Sequence, residues 1–225
     1  MEDAGKGVKN RKSTEELLLA AVSAIVEERG FAGLGVNAVA ERAGVSKVLI
    51  YRYFDGYEGL LREWALRRSF WVEGTRNLEE RFASAAESGK RRGARITALA
   101  TDLFAGQWRS LRSSRVDREL LRWFVASDNP VAAEVMDRIE KRGTEVSGLF
   151  RKMIDSRDDL EGMTAVLVAG ICYLAVMSDR VSLFNGVPLD SAEGEERIHR
   201  VIERMVDRLF KPDPGSGRNG KRGKG

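Results

Sequence analysis

An all-α fold is predicted for this chain of 225 residues. Three observations predict it. Only 4 prolines interrupt the chain. Long stretches place apolar residues at helical spacing, without the sustained alternation of a half-buried strand. The segment Ala38–Phe54 reads as a short helix, a tight turn and a second short helix. The expected architecture is an N-terminal three-helix unit built on that helix-turn-helix, followed by a larger helical domain.

The elements follow in order. Residues 1–12 are expected to be a disordered arm. Ser13-Thr14-Glu15-Glu16 is a capping box that starts the first helix. Leu17, Leu18, Ala21, Ile25 and Val26 recur at helical spacing and are expected to face inward. Gly30 ends that helix, and Asn37 caps or begins the second. Ala40 and Ala43 let two helices approach closely, and Gly44 supplies a left-handed turn that a residue with a Cβ resists. Ser46 is a good N-cap and is expected to open the third helix. Val45, Ile50 and Phe54 sit where the three-helix core needs apolar contacts. Asp55-Gly56 breaks the chain again, and a fourth helix is expected from Tyr57 to about Trp71. Further helices are expected at about 76–87, 92–112, 115–126, 130–155, 160–184 and 191–210. Ser88-Gly89-Lys90, Asp128-Asn129-Pro130 and Pro188 mark breaks among them. From Lys211 the chain reads as a disordered basic tail. The boundaries are therefore 13–56 for the helix-turn-helix domain, 57–210 for the helical domain and 211–225 for the tail.

The third helix leaves Lys47, Val48, Leu49, Tyr51, Arg52 and Tyr53 on its outer side. A short rod with a cationic and aromatic face fits the DNA major groove. The alternative is a plain packing hairpin. Bulk charge does not decide between them. Residues 1–63 hold nine Lys and Arg against ten Asp and Glu, while the last fifteen residues hold five against one. Placement favours DNA weakly, because Lys6, Lys9, Arg11 and Lys12 precede the expected first helix and Lys47 and Arg52 lie on the third, while Glu15, Glu16, Glu27 and Glu28 belong to the first helix, which can turn them away from DNA.

At these residues the sequence resembles the TetR family of bacterial transcription regulators. The resemblance runs from about Arg11 to Leu61, through Gly30-Phe31, Val39-Ala40-Glu41-Arg42-Ala43-Gly44-Val45-Ser46-Lys47, Tyr51-Arg52-Tyr53-Phe54 and Glu58-Gly59-Leu60-Leu61. It implies a DNA-binding face made of Asn37, Ser46, Lys47, Val48, Leu49, Tyr51, Arg52, Tyr53 and Tyr57. The family usually has Gly-Thr or Gly-Ser where this chain has Val48-Leu49, often Lys at Tyr57 and usually Thr at Leu34. Fewer polar contacts to phosphate are expected from those positions. Val48 and Leu49 either touch thymine methyl groups or pack on the first helix.

The resemblance makes the second domain one for ligand binding and dimerisation. The 160–184 segment is apolar on nearly every side, and 191–210 carries one apolar stripe. Val168, Ile171, Ala175, Ile198, Ile202, Met205 and Leu209 are the expected homodimer contact. Large side chains cluster in the middle of the chain. Phe70, Phe104, Trp108, Trp123, Phe124, Phe150 and Tyr173 are the candidates for a pocket that takes an apolar or aromatic effector. The function implied is a ligand-responsive regulator, most simply a repressor, that holds a palindromic operator as a dimer. The competing reading is a helical adaptor that has lost sequence-specific DNA binding.

An enzyme is not expected. One His and one Cys exclude the usual zinc sites, and His199 sits on a strongly charged helix as a surface residue. Asp158-Asp159 and Glu195-Glu196 read as caps and solvated faces, and no glycine loop is built to cradle phosphate. No metal or other cofactor is therefore expected. The longest apolar run, Met163–Met177, reads as too short to cross a bilayer, so no membrane partner is expected. Met1-Glu2-Asp3 does not open a signal peptide, and the single Cys172, in apolar surroundings, suits a reducing cytoplasm.

Overall fold

The helix-turn-helix at the N-terminus and a largely helical remainder are both present in the computed structural model, which describes residues 2–87, 91–152 and 159–210. The elements are α1 (Glu2–Arg29), α2 (Val36–Ala43), α3 (Val48–Phe54), α4 (Tyr57–Arg68), α5 (Phe70–Glu73), α6 (Leu78–Ala86), α7 (Arg92–Ser113), α8 (Arg115–Ala126), α9 (Pro130–Arg151), α10 (Leu160–Met177) and α11 (Ala192–Phe210). A small antiparallel hairpin, β1 (Leu183–Phe184) with β2 (Val187–Pro188), precedes α11. The chain forms two compact units. One holds residues up to Glu73 together with Leu111–Glu140; the other holds Gly74–Ser110 and the chain from Lys141.

Several boundaries differ from the sequence expectation. The first helix starts at Glu2, not at the Ser13 capping box. Nothing upstream stops it, for no proline lies there. Ser13 and Thr14 fall inside the helix, and Thr14 is buried. Within α1, Leu18, Ala21, Ile25 and Val26 face inward as expected, joined by Leu19 and Val22. Leu17 is exposed, because adjacent helical residues diverge by about 100° and Leu17 falls outside the stripe. Asn37 does not cap α2; Gly35 holds the N-cap position and Asn37 is an exposed residue of the first turn. The expected fourth helix breaks at buried Ser69, whose backbone is extended, and α5 follows.

Helix α10 ends at Met177, where the expectation carried it to 184. The hairpin takes up the difference. Its turn residues Asn185 and Gly186 both have positive φ, at 48° and 75°. That is the requirement of a type I′ turn, and Asn-Gly is its strongest sequence signal. The expected end of α9 near 155, the break at 88–90 and the tail from 211 lie outside the described residues.

The N-terminal unit buries Leu18, Val22, Ile25, Val26, Val39, Ile50, Leu60, Leu61 and Trp64. The cover is completed by Val116 and Leu120 of α8 and by Val131, Val135 and Ile139 of α9. Phe31 stacks on Trp123 with ring centroids 4.9 Å apart and meets Trp64 edge-on at 5.8 Å. The Trp64 Nε1–H donates to the Ser23 hydroxyl at 2.8 Å. Two polar ties reinforce the same assembly: Arg62 to Glu134 at 2.7 Å and the Arg115 guanidinium to the Glu27 carbonyl at 2.6 Å.

Gly59 is the tightest point of this unit. A Cβ there would lie 1.7 Å from the Phe54 carbonyl oxygen. That oxygen belongs to the backbone at the end of α3, so relief requires the α3–α4 corner to open. Gly59→Ala is expected to destabilise the chain by about 1–3 kcal/mol or more, read as a lower urea midpoint at unchanged slope.

In the second unit, Phe150 lies between Phe82 and Phe210, with both pairs edge-on at 5.1 Å. Arg142 ties α9 to the α6 region. It donates to the Thr75 carbonyl at 2.8 Å and pairs with Glu79 at 2.6 Å. This pairing holds the Glu79 carboxyl below its ordinary pKa. Leu167, Ile171 and Ala175 of α10, with Ile198, Ile202, Val206 and Leu209 of α11, are buried. Contrary to expectation, α10 is long and apolar enough by composition to reach across a membrane, with 18 residues and a mean hydropathy of 1.9. The run is longer than Met163–Met177 because Leu160 begins it and Glu161 is its only charge.

Candidate nucleic-acid interface

The turn between α2 and α3 sets the geometry of the site. Gly44 has φ 66° and ψ 30°. The Val45 N–H donates to the Ala40 carbonyl at 3.0 Å, and the Gly44 N–H donates to the Glu41 carbonyl at 3.1 Å. This pair of bonds is a Schellman closure, which satisfies the last carbonyls of α2 and turns the chain sharply. No atom lies within 4 Å of a Cβ built on Gly44, so glycine is needed there for its backbone angle, not for space. Arg42 grips Glu28 with both guanidinium nitrogens, one at 2.8 Å, and so fastens α2 to α1. The hydrogen bond from Arg42 lowers the Glu28 pKa. Both groups are solvated, so the pair positions more than it stabilises.

Helix α3 opens at Val48, two residues after the expected start. Ser46 still shapes the entry, its hydroxyl accepting from the Val48 N–H at 3.4 Å and its carbonyl accepting from the Leu49 N–H at 3.0 Å. The inner side of α3 is anchored as expected. Ile50 is fully buried, and Val45 and Phe54 pack against the core. The opposite side is free. Ser46, Lys47, Val48, Tyr51 and Arg52 are exposed, and Leu49 and Tyr53 are half-buried. Val48 is 64% exposed and Tyr51 57%, so Val48 does not pack on α1. Helix α3 contains no acidic residue. Lys47 and Arg52 make no ion pair among the described residues.

Two further placements bear on the site. The guanidinium of Arg11, on α1, lies over the Tyr53 ring at 5.2 Å, and that of Arg52 lies 6.0 Å from the same ring. Arg11, expected to precede the first helix, lies within α1, and that placement brings it to the Tyr53 ring. Tyr57 is half-buried at the start of α4, and burial raises its phenol pKa. It packs against the core, as does Leu34. A groove of about 500 Å³ runs beside α3, bordered by charges of both signs, Arg52, Arg62, Arg67 and Arg138 with Glu15, Asp55 and Glu63. Arg62 is held by Glu134, and Arg67 by Glu16 and Glu63.

The candidate ligand residues fall in both compact units. Phe70, Trp123 and Phe124 belong to the first unit, where Trp123 stacks on Phe31 and Phe124 packs on the core. Phe104, Trp108, Phe150 and Tyr173 belong to the second. There Phe104, Trp108 and Phe150 are buried, while Tyr173 is exposed with its ring against Phe184. Sequence reasoning passed over Gln107, which is 3% exposed. Its side-chain amide donates to the Cys172 sulfur at 3.5 Å, and its Oε1 has no hydrogen-bond partner among the described residues. Burial pushes the Cys172 thiol up to about 11, so it stays protonated and unreactive at neutral pH. A separate open groove of about 830 Å³ lies between α7 and α11, floored by Ala94, Thr97, Ala98 and Ala105. His199, read as a surface residue, is half-buried on its rim, 3.5 Å from Glu203.

The expected dimer residues separate into two sets. Ile171, Ala175, Ile198, Ile202 and Leu209 are buried within the chain; Val168 is half-buried and Met205 exposed. The large apolar side chains left in solvent on α10 and α11 are Met163, Val166, Tyr173, Val201 and Met205.

Residues 13–64 match the model of the bacterial regulatory proteins of the tetR family. An uncharacterized HTH-type transcriptional regulator of Mycobacterium tuberculosis is 29% identical over 127 residues, which cover 55% of this chain and 54% of that protein. The chain thus spans about half the length of the curated relatives it matches. Among solved structures, a transcriptional regulator assigned in Streptomyces coelicolor A3(2) aligns with a TM-score of 0.56 at 21% identity, over 88% of this chain and 99% of its own. The regulator FadR of Bacillus subtilis, solved with stearoyl-CoA, aligns with a TM-score of 0.53 at 16% identity, over 87% and 97%. At such identities the structures speak for the fold. The helix-turn-helix built by α1, α2 and α3 thus lies in the stretch that is similar to the N-terminal domain of the tetR family of bacterial regulatory proteins.

Proposed function

We propose that this chain is a ligand-responsive, DNA-binding transcriptional repressor of the cytoplasm that holds a palindromic operator as a homodimer. The observation that carries the reading is the free face of α3: Lys47, Val48, Tyr51 and Arg52 stand in solvent on a helix whose other side is locked by Ile50. A short helix anchored on one side and cationic on the other is built to enter a major groove. One such helix reads few base pairs, so useful specificity needs two copies related by a twofold axis. The exposed apolar side chains of α10 and α11 supply a face for the second copy. The effector is a small apolar or aromatic molecule taken up by the helical domain, among side chains such as Phe104 and Trp108. It releases the operator by favouring a helix arrangement that spoils the spacing of the two readers, and only by as much as its affinity differs between the two states.

The test is selection of binding sites from random duplex DNA with the full chain, together with sedimentation of the complex. An enriched palindrome bound by two chains is expected. A chain that enriches no sequence, or that binds as a monomer at micromolar concentration, overturns the reading. Enrichment of no sequence by a stable dimer is the outcome that fits an adaptor.

A further inference from the structure

We propose that Val48 reads the 5-methyl group of a thymine in each half of the operator. The inference rests on the DNA reading above and deepens it. Val48 is the first residue of α3 and is 64% exposed, although it is a branched apolar side chain at the base-facing end of the candidate reader. In helix-turn-helix proteins that end supplies the side chains that reach base edges. Its neighbours set its task. Lys47 precedes it and Arg52 follows one turn later, both charged and exposed, so they suit phosphate or guanine. Val48 offers no hydrogen bond and no charge. The one apolar feature in the major groove is the thymine methyl, and it distinguishes thymine from every other base. A side chain that packed on another protein copy would sit in a continuous apolar patch. Around Val48 the exposed residues are Ser46, Lys47, Tyr51 and Arg52. Tyr51, one turn on, exposes a ring that ends in a hydroxyl, so Val48 is the exposed side chain of this cationic and aromatic face with no polar group of its own, matched to a methyl.

Deoxyuridine differs from thymidine by that methyl alone, so the contact can be removed from either side. Each thymine of the selected operator is replaced in turn by deoxyuridine, symmetrically in both halves. Affinity is measured for the wild-type chain and for Val48→Ala. At one position per half-site the wild type is expected to bind the uracil operator about fourfold more weakly for each half, and about fifteenfold for both. Val48→Ala is expected to bind the parent operator more weakly by a similar factor and to lose the distinction between thymine and uracil at that position. Because Val48 is exposed, the circular dichroism of the variant is expected to be unchanged. Equal affinity of the wild type for thymine and uracil at every position overturns the proposal. So does a Val48→Ala chain that still prefers thymine, which assigns the methyl to another side chain such as Leu49. A chain that selects no operator at all fails the broader DNA reading, and this contact falls with it. A chain that selects an operator but ignores the methyl fails here alone.

Discussion

Trp64→Ala is expected to lower the unfolding free energy by about 3–5 kcal/mol, the range for an aromatic side chain deleted from a packed core. Total stabilities of about 5–15 kcal/mol make that a loss of about a fifth or more. The indole is 2% exposed and closes three contacts at once. It meets the Phe31 ring edge-on, lies in the cluster that includes Ile50 of α3, and donates to the Ser23 hydroxyl. The Ser23 hydroxyl in turn donates to the Leu19 carbonyl at 3.3 Å, so it keeps one partner when the indole leaves. The cavity therefore carries most of the cost. Trp64→Phe retains a ring and forfeits the N–H bond, worth about 1 kcal/mol, so it is expected to cost clearly less than the alanine variant. Urea unfolding followed by circular dichroism at 222 nm separates the two. Equal midpoints for Trp64→Ala and wild type would contradict the packing described for α4.

The second large effect concerns binding and leaves stability alone. Tyr51→Ala combined with Arg52→Ala is expected to reduce operator affinity at least hundredfold. A good bidentate contact to a base is worth about 1–3 kcal/mol, and a twofold dimer loses each contact twice. Both side chains are exposed, so the stability change is expected within about 0.5 kcal/mol. Arg52→Ala alone distinguishes its role. If the guanidinium contacts phosphate, the slope of log affinity against log salt falls by about 2 for the dimer, and weakening is uniform across operator sequences. If it reads guanine, the weakening concentrates at one base position. Fluorescence anisotropy with labelled operator at several salt concentrations reads both. Unchanged affinity with retained fold would remove these residues from the reader.

The helix-turn-helix was legible because its signals are local. Gly44 announces a left-handed turn, and Val45, Ile50 and Phe54 announce which side is buried; each is found in that role. Those interactions close within fifteen residues. Long-range cover was not legible. Nothing in the periodicity of 115–139 says that Val116, Leu120 and Val135 join the core of α1 and α4, or that Trp123 stacks on Phe31. Apolar richness also erased direction in α10. When nearly every position is hydrophobic, spacing cannot tell Leu167, 5% exposed, from Val166, 71% exposed. The hairpin after α10 was legible in Asn185-Gly186 and was missed because a helix-rich expectation outweighed a two-residue turn signal.

The reader's core is finished by chain that arrives almost forty residues after α5, from Leu111 onward. A gene truncated after Glu73 would encode every candidate base-reading residue and still forfeit Val116, Leu120, Trp123, Val131 and Val135, stripping one wall from Phe31 and Trp64. The unit that carries α3 is thus not an excisable cassette. Any swap, fusion or shortened version that keeps a working reader has to carry two separate stretches of the gene.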